Sequence, residues 1–288
     1  MLSLLLISIR ACFKLFLIEL LLLQSVAVAY ADTIVPIDYL VPDGSTNTYT
    51  DRATNGTPIV NIAAPSGAGV SLNNWEQYNV TNQNQILNNY RGTTVDTNLA
   101  GAIYGNPNFA PVGVREARVI VNQVTSSTVS NLNGYVEIAG GKADLVIANP
   151  NGINVAGAGF INTGRLSLVS GVAHLDEVGA LNNFTLGTGT GASIIITGIN
   201  TPAYANLGLD IGSVDYSDII SRSVLVLGDI HAKVLEIKTG NKTYDYNSKL
   251  IDSEVISGAL PSFALDSSYL GGIYAGKITL VATEAGIG

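Results

Sequence analysis

The sequence predicts an all-β protein, and three observations carry that prediction. Only 12% of the 288 residues are charged, against about a quarter in ordinary globular domains. Glycine supplies 31 residues, and Asn, Thr, Ser, Val and Ile abound while the strong helix formers are scarce, a balance that favours strands and turns. Short apolar runs recur along the chain, and Gly, Asn, Asp or Pro closes almost every one.

In order, the runs are PIVNIA (58–63), ARVIVNQV (117–124), GYVEIAG (134–140), ADLVIAN (143–149), RLSLVSG (165–171), ASIIITG (192–198), SVLVLGDI (223–230), VLEIKTG (234–240) and KITLVAT (277–283). Several alternate at period two, the mark of a half-buried strand, and others are solidly apolar, as strands buried on both faces are. Helical periodicity never persists for a dozen residues; YSDIISRS (216–223) has room for one helical turn. Leu145 and Leu166 begin successive runs 21 residues apart, near the length of one coil of a β-helix. That spacing breaks at GTGTGA (187–192) and around Tyr244, so composition and period leave a sandwich and a solenoid both open.

Residues 1–31 stand apart. Arg10 and Lys14 lead into LFLIELLLLQSVAVA, and Ala29-Tyr30-Ala31 is a small-x-small end. That order is a secretory signal peptide cleaved between Ala31 and Asp32, leaving a single domain over 32–288. Glu19 inside the apolar run argues against a membrane anchor. The one cysteine, Cys12, leaves with the signal, so the exported chain is stabilised by core burial without disulfides. A net charge of −8 with no basic block repels nucleic acid.

The chemistry-bearing residues are sparse. His174, in the polar loop SGVAHLDEV, and His231, just before a strand, are the two imidazoles, and their spacing suits no metal pair. Neither a nucleophile with a partnered base nor a cofactor-binding pattern is visible, because GTGTGA fails the dinucleotide spacing and precedes a strand. Asp210, Asp215 and Asp218 lie in GLDIGSVDYSD, which reads as a solvated corner. The expectation is a chain with no catalytic residues, no metal and no cofactor.

Two Asn-Pro-Asn stretches differ in kind from the rest. GNPNFA (105–110) and ANPNGI (148–153) each place a proline where it presets a turn, Pro107 and Pro150. Asn106 and Asn149 can accept from backbone N–H groups two residues on, and Asn108 and Asn151 tolerate the next turn position. Turn geometry alone accounts for that much.

The pair resembles the two diagnostic motifs of the two-partner secretion domain, found at the N-terminus of filamentous haemagglutinins, secreted haemolysins and contact-dependent inhibition toxins. Asn106, Pro107, Asn108 and Phe109 match the first motif, with Phe109 standing where Leu is usual. Asn149, Pro150, Asn151, Gly152 and Ile153 match the second. Four ordered blocks, at 55–89, 132–171, 215–246 and 265–288, resemble the family's opening, central and closing segments. Leu72 departs from a frequent His, and Val155 and Ala158 replace an optional cysteine pair.

The resemblance implies a right-handed parallel β-helix, a single-stranded solenoid of the pectin-lyase type, with small extra antiparallel elements. It implies export rather than catalysis. The chain would cross the inner membrane through the Sec translocon and pass the periplasm unfolded. There the POTRA domains of an outer-membrane barrel transporter would recognise it, with the two motifs as the recognition or folding signal, and it would fold outside as a secreted or cell-surface protein. Family members run on for many hundreds of residues, so the chain is expected to be a fragment of a longer adhesin. Host-cell surface glycans are a further expected partner.

Two other readings make distinct demands. A stand-alone sugar-binding adhesin needs exposed aromatics in one groove, and Trp75, Tyr78 and Tyr90 form the close set. A β-helical polysaccharide lyase needs carboxylates and a basic residue on one face, and the sequence shows no such cluster.

Overall fold

Leu145 and Leu166 are register partners on adjacent parallel strands, so the spacing between them is one turn of a solenoid. The computed structural model describes residues 37–186, 192–200, 205–240, 243–247, 261–267 and 271–283. The signal segment and the Ala31–Asp32 cleavage position lie outside the described residues, as does most of GTGTGA. Among the described residues the elements are β-strands and one short 3₁₀ turn.

The strands stack as three parallel faces of a β-helix. The first face runs Val70–Tyr78, Val119–Val124, Ala143–Ala148, Thr163–Val169 and Tyr216–Ser221. The second runs Pro58–Asn61, Gln85–Asn89, Tyr135–Gly140, Ala158–Ile161 and Leu207–Ile211. The long strands Asp229–Thr239 and Ile273–Ala282 pair with each other and close both faces, because Asp229–Thr239 meets the second face at Ile230 and the first at Leu235. The third face is Ser130–Leu132, Ile153–Val155, Ser193–Ile196, Ser223–Val226 and Leu265–Ser267.

Register stacks like on like. Ile120, Leu145 and Leu166 form one buried inward ladder, and Ile153, Ile194 and Val224 form another. Each such side chain contributes about 1.5–3 kcal/mol on burial, which is why the runs are Val-, Ile- and Leu-rich. Asparagine serves the corners. Asn162 turns the chain between faces at φ 58°, and its amide reaches back to the carbonyls of Ile138 and Gly140 at 2.8 and 3.0 Å, tying one rung to the rung before it.

Extra antiparallel elements decorate the solenoid. The hairpin Thr94–Thr97/Gly101–Tyr104 covers a small apolar cluster on the second face. Gly171–Leu175, Leu181–Leu186 and Thr243–Asp245 form a three-stranded sheet over the outside of the first face. Leu40–Pro42 and Tyr49–Arg52 pair antiparallel with Val70–Tyr78 and Pro58–Asn61 and cover the edges of the first rung. At the other end, Ile273–Ala282 leaves Tyr274, Ile278 and Leu280 exposed.

Three expectations need correction. YSDIISRS holds no helical turn: Tyr216–Ser221 is a strand. Its second face is buried beneath the covering sheet, so the alternation that marks a half-exposed strand is missing. Asp218 lies on no solvated corner but is fully buried, whereas Asp215 is exposed. His174 sits on the covering sheet, opposite Asn183, rather than in a loop.

Candidate functional site: the two Asn-Pro-Asn turns

The two motifs are built alike. At the first, Asn106 caps a 3₁₀ turn over Pro107–Phe109, and its Oδ1 accepts from the Asn108 N–H at 2.9 Å. Its Nδ2 donates to the carbonyls of Ile62 and Asn88, both at 2.9 Å. Asn108 Nδ2 donates to the carbonyls of Asn47 and Ile62, at 2.9 and 3.0 Å. Phe109 is buried in the solenoid interior, a position that accepts any large apolar side chain of similar volume. Pro107 is exposed.

At the second, Asn149 Oδ1 accepts from the Asn151 N–H at 2.9 Å and the Gly152 N–H donates to the Asn149 carbonyl at 3.1 Å. Asn149 Nδ2 donates to the Thr128 carbonyl and to Ser130 Oγ, both at 2.9 Å. Asn151 Nδ2 donates to the Ser126 carbonyl at 2.8 Å. Gly152 holds φ 110°, a conformation that L side chains rarely adopt, and its carbonyl accepts from the Ser130 N–H at 3.2 Å. Ile153 then enters the interior as the register partner of Ser130.

The geometry exceeds what the turn chemistry predicts. In each motif the first asparagine closes its own turn and also fastens that turn to an earlier stretch of chain. Asn106 and Asn149 are buried, at 3% and 0% exposure; Asn108 and Asn151 are half-buried. Removing the Asn149 amide leaves the Asn151 N–H and Ser130 Oγ short of a partner, while the Thr128 carbonyl keeps a longer bond from Asn151 Nδ2. At about 1–3 kcal/mol for each buried group left unsatisfied, the replacement costs several kcal/mol rather than the single local bond that a turn would lose. Sequence reasoning missed these ties because their partners lie 18 to 61 positions upstream.

Other candidates sort by burial. Trp75 and Tyr78 are fully buried in the core, with Trp75 Nε1 donating to Asn122 Oδ1 at 3.1 Å and the Tyr78 hydroxyl to Gln85 Oε1 at 2.9 Å. They cannot line a sugar groove, which removes the aromatic set that reading required. His231 stacks on Tyr274, ring centroids 5.2 Å apart.

A cluster of carboxylates and bases does exist on one face, where the sequence showed none. On the outside of the first face, Arg165 pairs with Asp218 and Lys238 with Glu236. The Arg165 guanidinium lies between the Tyr216 and Tyr246 rings. Burial pushes the Asp218 carboxyl above the ordinary carboxylate range, against the pull of Arg165. The cluster is mostly buried, with Asp218 at 0% and Glu236 at 17% side-chain exposure, so it resembles a lyase site in composition and not in access. No group of three or more metal-ligating side chains occurs among the described residues.

Similarity to known proteins agrees with this architecture. The family model for the TPS secretion domain matches residues 38–288. The chain is 44% identical over 235 residues to Toxin CdiA of Yersinia pestis, an alignment covering 81% of this chain and 7% of that protein. It is 38% identical over 267 residues to tRNA nuclease CdiA-2 of Burkholderia pseudomallei, covering 92% of this chain and 8% of that one. The solved filamentous hemagglutinin secretion domain superposes with a TM-score of 0.72 at 30% identity, covering 86% of this chain and 80% of that structure. The chain thus spans less than a tenth of the length of these curated relatives, and their toxin and nuclease names describe those whole proteins. A parallel β-helix carrying both Asn-Pro-Asn turns, matched along nearly all of its described length, is a two-partner secretion domain, and this chain belongs to that family.

Proposed function

We propose that this domain is an export signal read in its unfolded form. The chain reaches the periplasm through the Sec translocon after loss of residues 1–31. The POTRA domains of its outer-membrane transporter then engage the region of the two motifs before it folds, and the β-helix forms outside. The observation that carries this is the burial of Asn106 and Asn149: in the folded domain these side chains face their own chain, so a partner that reads them must do so earlier. Once folded, the same side chains fasten successive turns of the solenoid, which makes passage back through a pore unfavourable. The domain takes no part in catalysis, a reading supported by the burial of the Arg165–Asp218 and Lys238–Glu236 pairs. Any passenger, and host-cell glycans as its target, belong to the longer exoprotein.

Export and stability separate recognition from folding. Asn149→Ala and Asn151→Ala are compared with Leu145→Ala, a buried control expected to cost about 2–5 kcal/mol through its cavity. Secretion through the cognate transporter is measured beside thermal melts of each purified variant. The expected outcome is that both motif variants fall well below the control in export at matched loss of stability. Export that tracks stability alone across all three would reduce the motifs to structural ties.

A further inference from the structure

The covering sheet over the first face is joined to the solenoid differently from every rung. Gly171–Leu175, Leu181–Leu186 and Thr243–Asp245 pair only with one another among the described strands. What attaches them is side-chain contact. Phe184, Tyr244, Tyr246 and Leu181 pack on Val121, Val146, Val169 and Ile220, a cluster separate from the solenoid interior. Phe184 stacks face to face on Tyr244, centroids 6.2 Å apart, and meets Tyr246 edge-on at 5.9 Å.

Polar ties also join the sheet to the solenoid: the Ala173 N–H donates to Gln123 Oε1 at 2.7 Å, and Arg165 sits at the centre of the others. Arg165 pairs with the buried Asp218, donates from Nη1 to the Tyr246 carbonyl at 3.1 Å and lies 4.2 Å from the centre of the Tyr246 ring. The Tyr246 hydroxyl donates to Asp144 Oδ2 at 3.0 Å, and Lys238 Nζ donates to the Tyr244 hydroxyl at 2.5 Å. Asp144, Arg165, Asp218 and Lys238 sit on four successive strands of the first face. These contacts are complete only when all four strands are stacked.

We propose that Arg165 is a latch holding the covering sheet closed, and that the sheet opens and closes as a unit while the β-helix beneath it stays intact. Separate apolar cores and the absence of shared strand pairing allow two opening units rather than one. A buried carboxylate paired with a single guanidinium makes the closed state depend on that guanidinium, because losing one partner strands the other's charge. In the secreted protein, an open sheet exposes the apolar outer side of the first face without unwinding a rung.

Hydrogen exchange read by mass spectrometry on the signal-cleaved chain tests this. In the wild type, peptides from 171–186 and 243–247 should exchange at one common rate, at least about tenfold faster than the rung strands 143–148 and 163–169; tenfold corresponds to about 1.4 kcal/mol. Arg165→Met should speed the covering peptides by a further tenfold or more and leave both the rung strands and the melting of Trp75 fluorescence unchanged. Equal protection of cover and rungs in the wild type would overturn the proposal, and so would a loss in Arg165→Met that spreads equally to the rungs. Should Arg165→Met not fold, Tyr246→Phe, which removes only the bond to Asp144, is read in the same way with a smaller expected change.

Discussion

Gly152 closes the second turn at φ 110° and offers its carbonyl to the Ser130 N–H. An alanine there must hold a left-handed conformation that costs of order 1–3 kcal/mol for a residue with a Cβ. Gly152→Ala is therefore expected to lower the thermal midpoint of the purified domain by several degrees, with the strand signature of its circular dichroism retained. An unchanged midpoint would show that the turn relaxes. The Asn-Pro-Asn turns themselves were legible in the sequence, since proline and asparagine announce turn chemistry locally. Their reach was not legible: nothing near Asn149 in the sequence points to Thr128 or Ser130, and only stacking brings those groups to its amide.

Among the elements, the turn of the hairpin Thr94–Thr97/Gly101–Tyr104 is fastened by one carboxylate. Glu137, buried on the second face, accepts from the Asn98 N–H at 2.8 Å, from Asn98 Nδ2 at 2.9 Å and from the Leu99 N–H at 2.9 Å. Glu137→Ala strands three donors at once. With hydrogen bonds to a charged acceptor worth about 1.5–3 kcal/mol each and not additive, the expected loss is about 2–5 kcal/mol. Faster exchange should be confined first to 94–104, and chemical denaturation with residue-resolved exchange measures both quantities. Strands read correctly where the apolar run was unbroken, as at Ala143–Ala148. Tyr216–Ser221 was misread because its polar Asp218 is neutralised by Arg165, a partner far away in sequence. Val70–Tyr78 was missed because Asn73, in the middle of VSLNNWEQY, is buried with its own partners at the Ala63 N–H and the Thr48 hydroxyl.

For the whole molecule, the solenoid was half legible. Leu145 and Leu166 gave the length of one turn because no insertion separates them. From Leu166 the next partner is Ser217, reached only after the covering hairpin, and the period disappears from the sequence there. The resemblance to the secretion domain, rather than the period, decided between solenoid and sandwich. Ile278 and Leu280 are exposed on the last described strand, which pairs with one neighbour among the described strands. Leu280→Lys should leave the fold intact and reduce concentration-dependent self-association of the isolated domain in sedimentation experiments; association equal to that of the wild type would place the contact elsewhere.

The same uneven ends set how the molecule answers to force. Tension applied through the first rung unzips the hairpin of Tyr49–Arg52 and Pro58–Asn61 from its open end, where Tyr49 faces Asn61. Applied through Ile273–Ala282, it shears a parallel pairing that is loaded along its whole length, from Ile230–Ile273 to Thr239–Ala282. An uninterrupted turn such as that between Leu145 and Leu166 holds 21 residues, and at about 3.3–3.6 Å per extended residue its release lengthens the chain by roughly 70 Å.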